Sequence, residues 1–157
     1  MMMLLFRIND QRYGLDVADV VELVPYVTLQ RLPKAPEYIA GLMNYRGHIV
    51  PVVDLAMLTR EKPTRHLMSS RIILIRPVKS EKRFVGLLAE NVTEARRISE
   101  DIFTDTGINS DTNTFVDKVA MHSTGMIQLV NLSKLLPIEV RVMLQERVRD
   151  SAALKRK

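Results

Sequence analysis

The side chains of this 157-residue chain that could do chemistry are few and scattered. His48, His66 and His122 lie far apart, and none stands in a spacing such as H-x-x-x-H that would set two metal ligands on one helical face. Asp54 and Glu22 are the carboxylates that could be paired for general acid–base work. Asp54-Leu55 reads better as an N-cap opening a short helix, as does Asn131-Leu132 further on. Ser69-Ser70 has no base beside it and reads as a loop, and there is neither a G-x-S-x-G nor a glycine-rich phosphate loop. The lack of cysteine excludes thiolate catalysis, disulfides and cysteine-ligated metals, and fits a reducing, cytoplasmic setting. No catalytic residue, metal site or cofactor is assigned. What stands out instead is one cation, Arg46, in the turn-forming Asn44-Tyr45-Arg46-Gly47 between two apolar segments. A guanidinium held there is suited to binding, either as a partner contact or as an internal brace.

The elements that must hold Arg46 change character around it. Pro36 and Glu37 suit a first helical turn and Gly41 its end, so Pro36–Gly41 is expected to be a short helical turn. Ile49, Val50, Val52 and Val53 after the turn read as a buried strand. Further strands are expected at 4–8, 13–17, 72–75, 84–88, 92–98, 115–121 and 126–130, with turn signals at Asn9-Asp10 and Ser123 to Gly125. Met43, Met57 and Met126 are taken as core filling. After Pro137, Ile138 and Val142 begin a helical pattern that runs into a basic end, so the chain divides into a domain over 1–137 and a basic C-terminal helix or tail over 138–157.

The chain also repeats itself. Setting Gly14 over Gly86 brings Val20 over Val92 and Glu22 over Glu94, and setting His48 over Gly125 brings Asp54-Leu55 over Asn131-Leu132. The class is all-β with short helices, as two similar β-lobes of about 70 residues that share an apolar seam, since lobes this small have little core of their own. The groove between them is the natural binding surface, and Gly14, Gly41 and Gly86 allow close backbone approach there.

Net charge is +5, but much of the excess lies after Pro137, where Arg141, Arg147, Arg149, Lys155, Arg156 and Lys157 outnumber Glu139, Glu146 and Asp150. With no tryptophan and few other aromatics, cations and rings are not interleaved as in a base-stacking surface. A nucleic-acid-binding tandem of barrels is the alternative, driven by the tail. The apolar start, Met1 to Leu5, lacks a basic flank and is too short for a signal core or a membrane span.

The run from Gly41 to Leu55, GLMNYRGHIVPVVDL, resembles the signature of the CheW-like domain, G-x-x-N-x-R-G-x-I-x-P-x-x-D-L. The likeness extends to Phe6–Ile8 with Arg12–Glu22, to Val85–Val92, and to Met126–Leu136. It implies two SH3-like five-stranded β-barrels around a shared apolar interior. It also implies an adaptor without chemistry of its own, joining the cytoplasmic hairpin tips of methyl-accepting chemotaxis receptors to the regulatory domain of a CheA-type histidine kinase. Other CheW-like proteins in array rings are further implied partners, with membrane contact only through the receptors and no small-molecule substrate.

Carried over position by position, the resemblance makes Val20, Glu22, Gly41, Asn44, Arg46, Ile72, Gly86, Val92 and Ala95 the receptor- and kinase-binding residues. Val20, Ile72 and Val92 would floor a groove for apolar anchors of a helix pair, and Arg46 would offer a planar fork to carboxylates or carbonyls. Tyr45 stands where the family more often has a small aliphatic residue, Ala89 and Ala95 replace larger ones, and Arg96-Arg97 adds charge. These departures are compatible with a coupler for a non-flagellar array, such as a surface-sensing Wsp-type or a twitching-motility system.

Overall fold

Short strands follow from tight turns that this sequence supplies with the right residues. Asn9 and Asp10 take positive φ (48° and 70°), as do Arg46 and Gly47 (49° and 85°), and each pair forms a two-residue hairpin connection. Positive φ at both central positions gives these turns a twist that matches the flanking strands. The structure is a computed structural model and describes residues 1–60, 62–77, 83–107, 115–123 and 125–136. The expected C-terminal helix or tail, 138–157, lies outside the described residues.

Among the described residues there are ten strands and two short α-helices: β1 (Met2–Ile8), β2 (Gln11–Asp16), β3 (Val20–Pro25), β4 (Ile39–Tyr45), β5 (His48–Asp54), α1 (Leu55–Arg60), β6 (Arg71–Ile75), β7 (Val85–Arg97), β8 (Thr104–Asp105), β9 (Val116–His122), β10 (Gly125–Val130) and α2 (Leu132–Leu135). The helical turn expected over Pro36–Gly41 is corrected. One turn-like bond, Ile39 N–H to the Pro36 carbonyl at 2.9 Å, is followed at once by β4. Ile39, Gly41 and Met43 alternate inward along it, and this period of two overrides the helix-start signal of Pro36-Glu37. The strands expected at 84–88 and 92–98 are one 13-residue strand, β7, and β3 adds a strand not anticipated.

The strands form two rings that share β7. The first runs β3-β6-β7-β5-β4 and is closed where Gln30 exchanges backbone hydrogen bonds with Leu42 at 2.9 and 2.7 Å. The second runs β7-β1-β2-β10-β9-β8 and, among the described residues, is an open ring with no pairing of β8 back to β7. Residues Val85 to Ala89 of β7 pair with β6, and Glu90 to Arg97 pair with β1. The repeat is visible in the pairings: β5 lies parallel to β7 with Val52 opposite Gly86, and β10 parallel to β2 with Leu129 opposite Gly14. Each repeat sends its next strand into the other ring, so the two rings are interlocked and are not consecutive halves of the chain.

The core follows this plan. Ile72 and Leu74 of β6 join Met43, Val50, Val52 and Leu88 inside the first ring, whereas Ile73 and Ile75 face the other way. There they meet Leu4, Phe6, Leu15, Val85, Leu87 and Val92 in the shared seam. Met3, Leu5, Ile98 and Ile127 fill the second ring. A strand buried on both faces needs an unbroken apolar run, which is what Ile72–Ile75 is. Met43 is buried as expected, but Met126 is half exposed opposite the exposed Met121 on the β9–β10 hairpin.

Candidate partner-binding face

The helix-cap reading of Asp54 and Asn131 holds. Asp54 is buried, and its Oδ1 accepts from the Ala56 N–H at 3.0 Å. The Thr64 N–H and hydroxyl also donate to it. Asn131 caps α2 in the same way, accepting from the Ser133 N–H at 3.0 Å. Among the described residues no three His, Asp or Glu side chains come together as a metal-binding group.

Glu22 is far from Asp54's network and belongs to a polar corner at one end of the first ring. The two-residue turn between β4 and β5 brings Tyr45 and Arg46 back toward β3. The Tyr45 hydroxyl donates to Glu22 Oε2, and Arg46 Nη2 stands 3.6 Å from the same oxygen. Arg46 lies over the Tyr45 ring, its Cζ 5.2 Å from the centroid, and its side chain is 75% exposed. Asn44 Oδ1 accepts the Gly47 N–H at 2.8 Å and locks the turn. Tyr45 and His48 both meet Phe84 edge-on, at 5.6 and 5.4 Å between ring centroids, and Arg76 Cζ lies over the Phe84 ring at 5.6 Å. The hydrogen bond to Glu22, followed by burial, raises the Tyr45 phenol above its ordinary pKa. The corner thus presents two arginines and a histidine around two rings, with one carboxylate among them.

The nine residues singled out from sequence divide into surface and support. Glu22, Asn44 and Arg46 come together at this corner, and Ala95 is exposed on the far half of β7. Val20 is half-buried against the seam. Ile72 at 0% exposure and Val92 at 4% are core residues in two different clusters, so neither floors an open groove in this structure. Gly86 touches that core: a Cβ there would stand 2.7 Å from Ile72 Cγ2 and 3.1 Å from Val52 Cγ2. Gly41, with φ 150°, lets β4 pass the Gln30 carbonyl at the ring closure, where a Cβ would be 2.7 Å from that oxygen. Sequence reasoning passed over the exposed apolar residues Val21 and Leu23 on β3 and Ile49 on β5, which flank the corner. No local signal marked them: β3 reads VVELVP, apolar on both faces, and only the structure shows which of its residues alternate outward.

Two interlocked SH3-like β-rings that carry an exposed basic and aromatic corner define a β-barrel interaction module. Residues 2–140 match the CheW-like domain. A chemotaxis protein CheW of Rhizobium meliloti is 34% identical over 142 residues, covering 87% of each chain. The protein FrzA of Myxococcus xanthus is 27% identical over 140 residues, covering 83% of this chain and 82% of its own. Among solved structures, the scaffolding protein TtCheW of Thermoanaerobacter tengcongensis superposes with a TM-score of 0.76 at 29% identity, covering 87% of this chain and 88% of that one. The chain belongs to the CheW-like domain family. It is accordingly an adaptor that couples chemotaxis receptors to a CheA-type kinase, and the nucleic-acid alternative is set aside.

Proposed function

We propose that this adaptor engages its partners through the Glu22–Asn44–Arg46 corner and the apolar residues beside it, and that it does no covalent chemistry. The partners are the cytoplasmic hairpin tip of a methyl-accepting receptor and the regulatory domain of the CheA-type kinase, with further CheW-like chains completing array rings. Binding to receptor tips would recruit it to membrane-bound arrays; no described helix is long and apolar enough to cross a membrane. The observation that carries the reading is Arg46, which family resemblance marks and which stands three-quarters exposed on a turn fixed by Asn44. Val21, Leu23 and Ile49 give the apolar area that a helix pair's anchors need. Of the other expected contact residues, Gly41, Ile72, Gly86 and Val92 support the strands from within, Val20 packs half-buried against the seam, and Ala95 lies exposed on the far half of β7, away from the corner.

Co-sedimentation of the protein with receptor signalling-domain helices and the kinase tests the proposal directly. Arg46→Glu is expected to weaken binding at least tenfold with unfolding unchanged. Absence of binding to either partner at tens of micromolar rules the reading out.

A further inference from the structure

We propose that Tyr45 is a positioning residue that keeps the Arg46 guanidinium available to a partner, by competing for the carboxylate oxygen that both residues approach. The inference rests on the partner face proposed above.

Two donors on adjacent residues converge on one atom. Glu22 Oε2 takes the Tyr45 hydroxyl, and Arg46 Nη2 is left 3.6 Å from that oxygen, outside the roughly 2.7–3.2 Å of an N–H···O bond. An arginine fork closes on a carboxylate through two parallel bonds, one to each oxygen, and a phenol already seated on Oε2 competes with that closure for one of the oxygen's two lone pairs. The tyrosine ring supplies a second hold, since the guanidinium lies over it and the ring is braced edge-on by Phe84. Backbone geometry keeps the three groups in register: Arg46 sits at φ 49° in a turn fixed by Asn44, and Glu22 is on β3 across the ring closure. Arg46 is therefore oriented by a carboxylate and a ring without being consumed by either. Its N–H groups face solvent, ready for a carboxylate or carbonyl on a receptor hairpin. Remove the hydroxyl and Glu22 is free to close on Arg46, so that a partner must first break an ion pair.

The test titrates a hairpin from the cytoplasmic tip of a methyl-accepting receptor into the full chain and its variants by calorimetry. Tyr45→Phe, which retains the ring, is expected to weaken binding three- to tenfold, and Tyr45→Phe with Glu22→Gln to bind within twofold of Glu22→Gln alone. In the free protein, ¹⁵N NMR should show slower guanidinium rotation at Arg46 in Tyr45→Phe than in the unmodified chain. If Arg46→Ala weakens binding while Tyr45→Phe does not, the inference is overturned and the partner face stands. A double variant as weak as Tyr45→Phe alone also overturns it, because the hydroxyl then acts other than through Glu22. If Arg46→Ala leaves binding unchanged, the partner face fails and takes the inference with it.

Discussion

At the scale of single residues, the polar groups of this protein sort by where their hydrogen bonds go. Asp54 spends its carboxylate on the first turn of α1 and on Thr64. Asp54→Ala should cost about 2–3 kcal/mol in urea unfolding, from the lost cap and the buried Thr64 donors left unpaired. Receptor affinity of the remaining folded protein should be unaltered. Both caps were legible in the sequence because a cap is a local bond, reaching only two or three residues along the chain. The Tyr45–Glu22 contact was not, since its partners are separated by β4 and by the whole β3–β4 connection. A tyrosine in place of a small aliphatic residue marked the position, but only the ring closure shows what its hydroxyl meets.

At the scale of elements, the two repeats have the same pairing but different fillings at their central glycines. A Cβ on Gly86 would press on Ile72, a β-branched side chain fixed between strands. At Gly14 it would press on Sδ and Cγ of Met3, an unbranched and adaptable thioether, and come within 3.3 Å of Ile127 Cγ2. Gly86→Ala should therefore cost about 2 kcal/mol of stability, the usual penalty for overpacking, and Gly14→Ala distinctly less, as measured by denaturant midpoints at constant slope. The seam between the lobes could be anticipated from the repeat and from the small size of each unit. Which strands build each lobe could not, because pairing partners such as Val52 and Gly86 are set by long-range topology and leave no mark on local pattern. The misreading of Pro36–Gly41 has the same origin: local start signals favoured a turn of helix where ring closure demanded a strand.

At the scale of the whole molecule, β7 makes the two rings one folding unit. Thermal unfolding followed by probes in either ring should give coincident transitions, and a chain cut within β7 should yield no folded half. Where β7 passes from one ring to the other, buried Glu90 takes bonds from Arg65 at 2.8 to 3.2 Å, and Arg65 also stands 3.6 Å from Asp10 on the second ring. The bonds from Arg65 hold the Glu90 carboxyl below its ordinary range against the opposing effect of burial. A depressed carboxyl contributes stability that is fully present above the unfolded-state pKa and is lost as pH falls through the lower folded-state value. Urea midpoints should thus drop on acidification below the ordinary glutamate range, and Glu90→Gln should flatten that dependence. The shared strand has one more consequence. Thirteen residues at about 3.3 Å each give a rod of at most some 40 Å with a ring built onto either end. Surfaces on the two rings are thereby kept at a set distance and angle, so that a partner touching one ring is held rigidly with respect to the other.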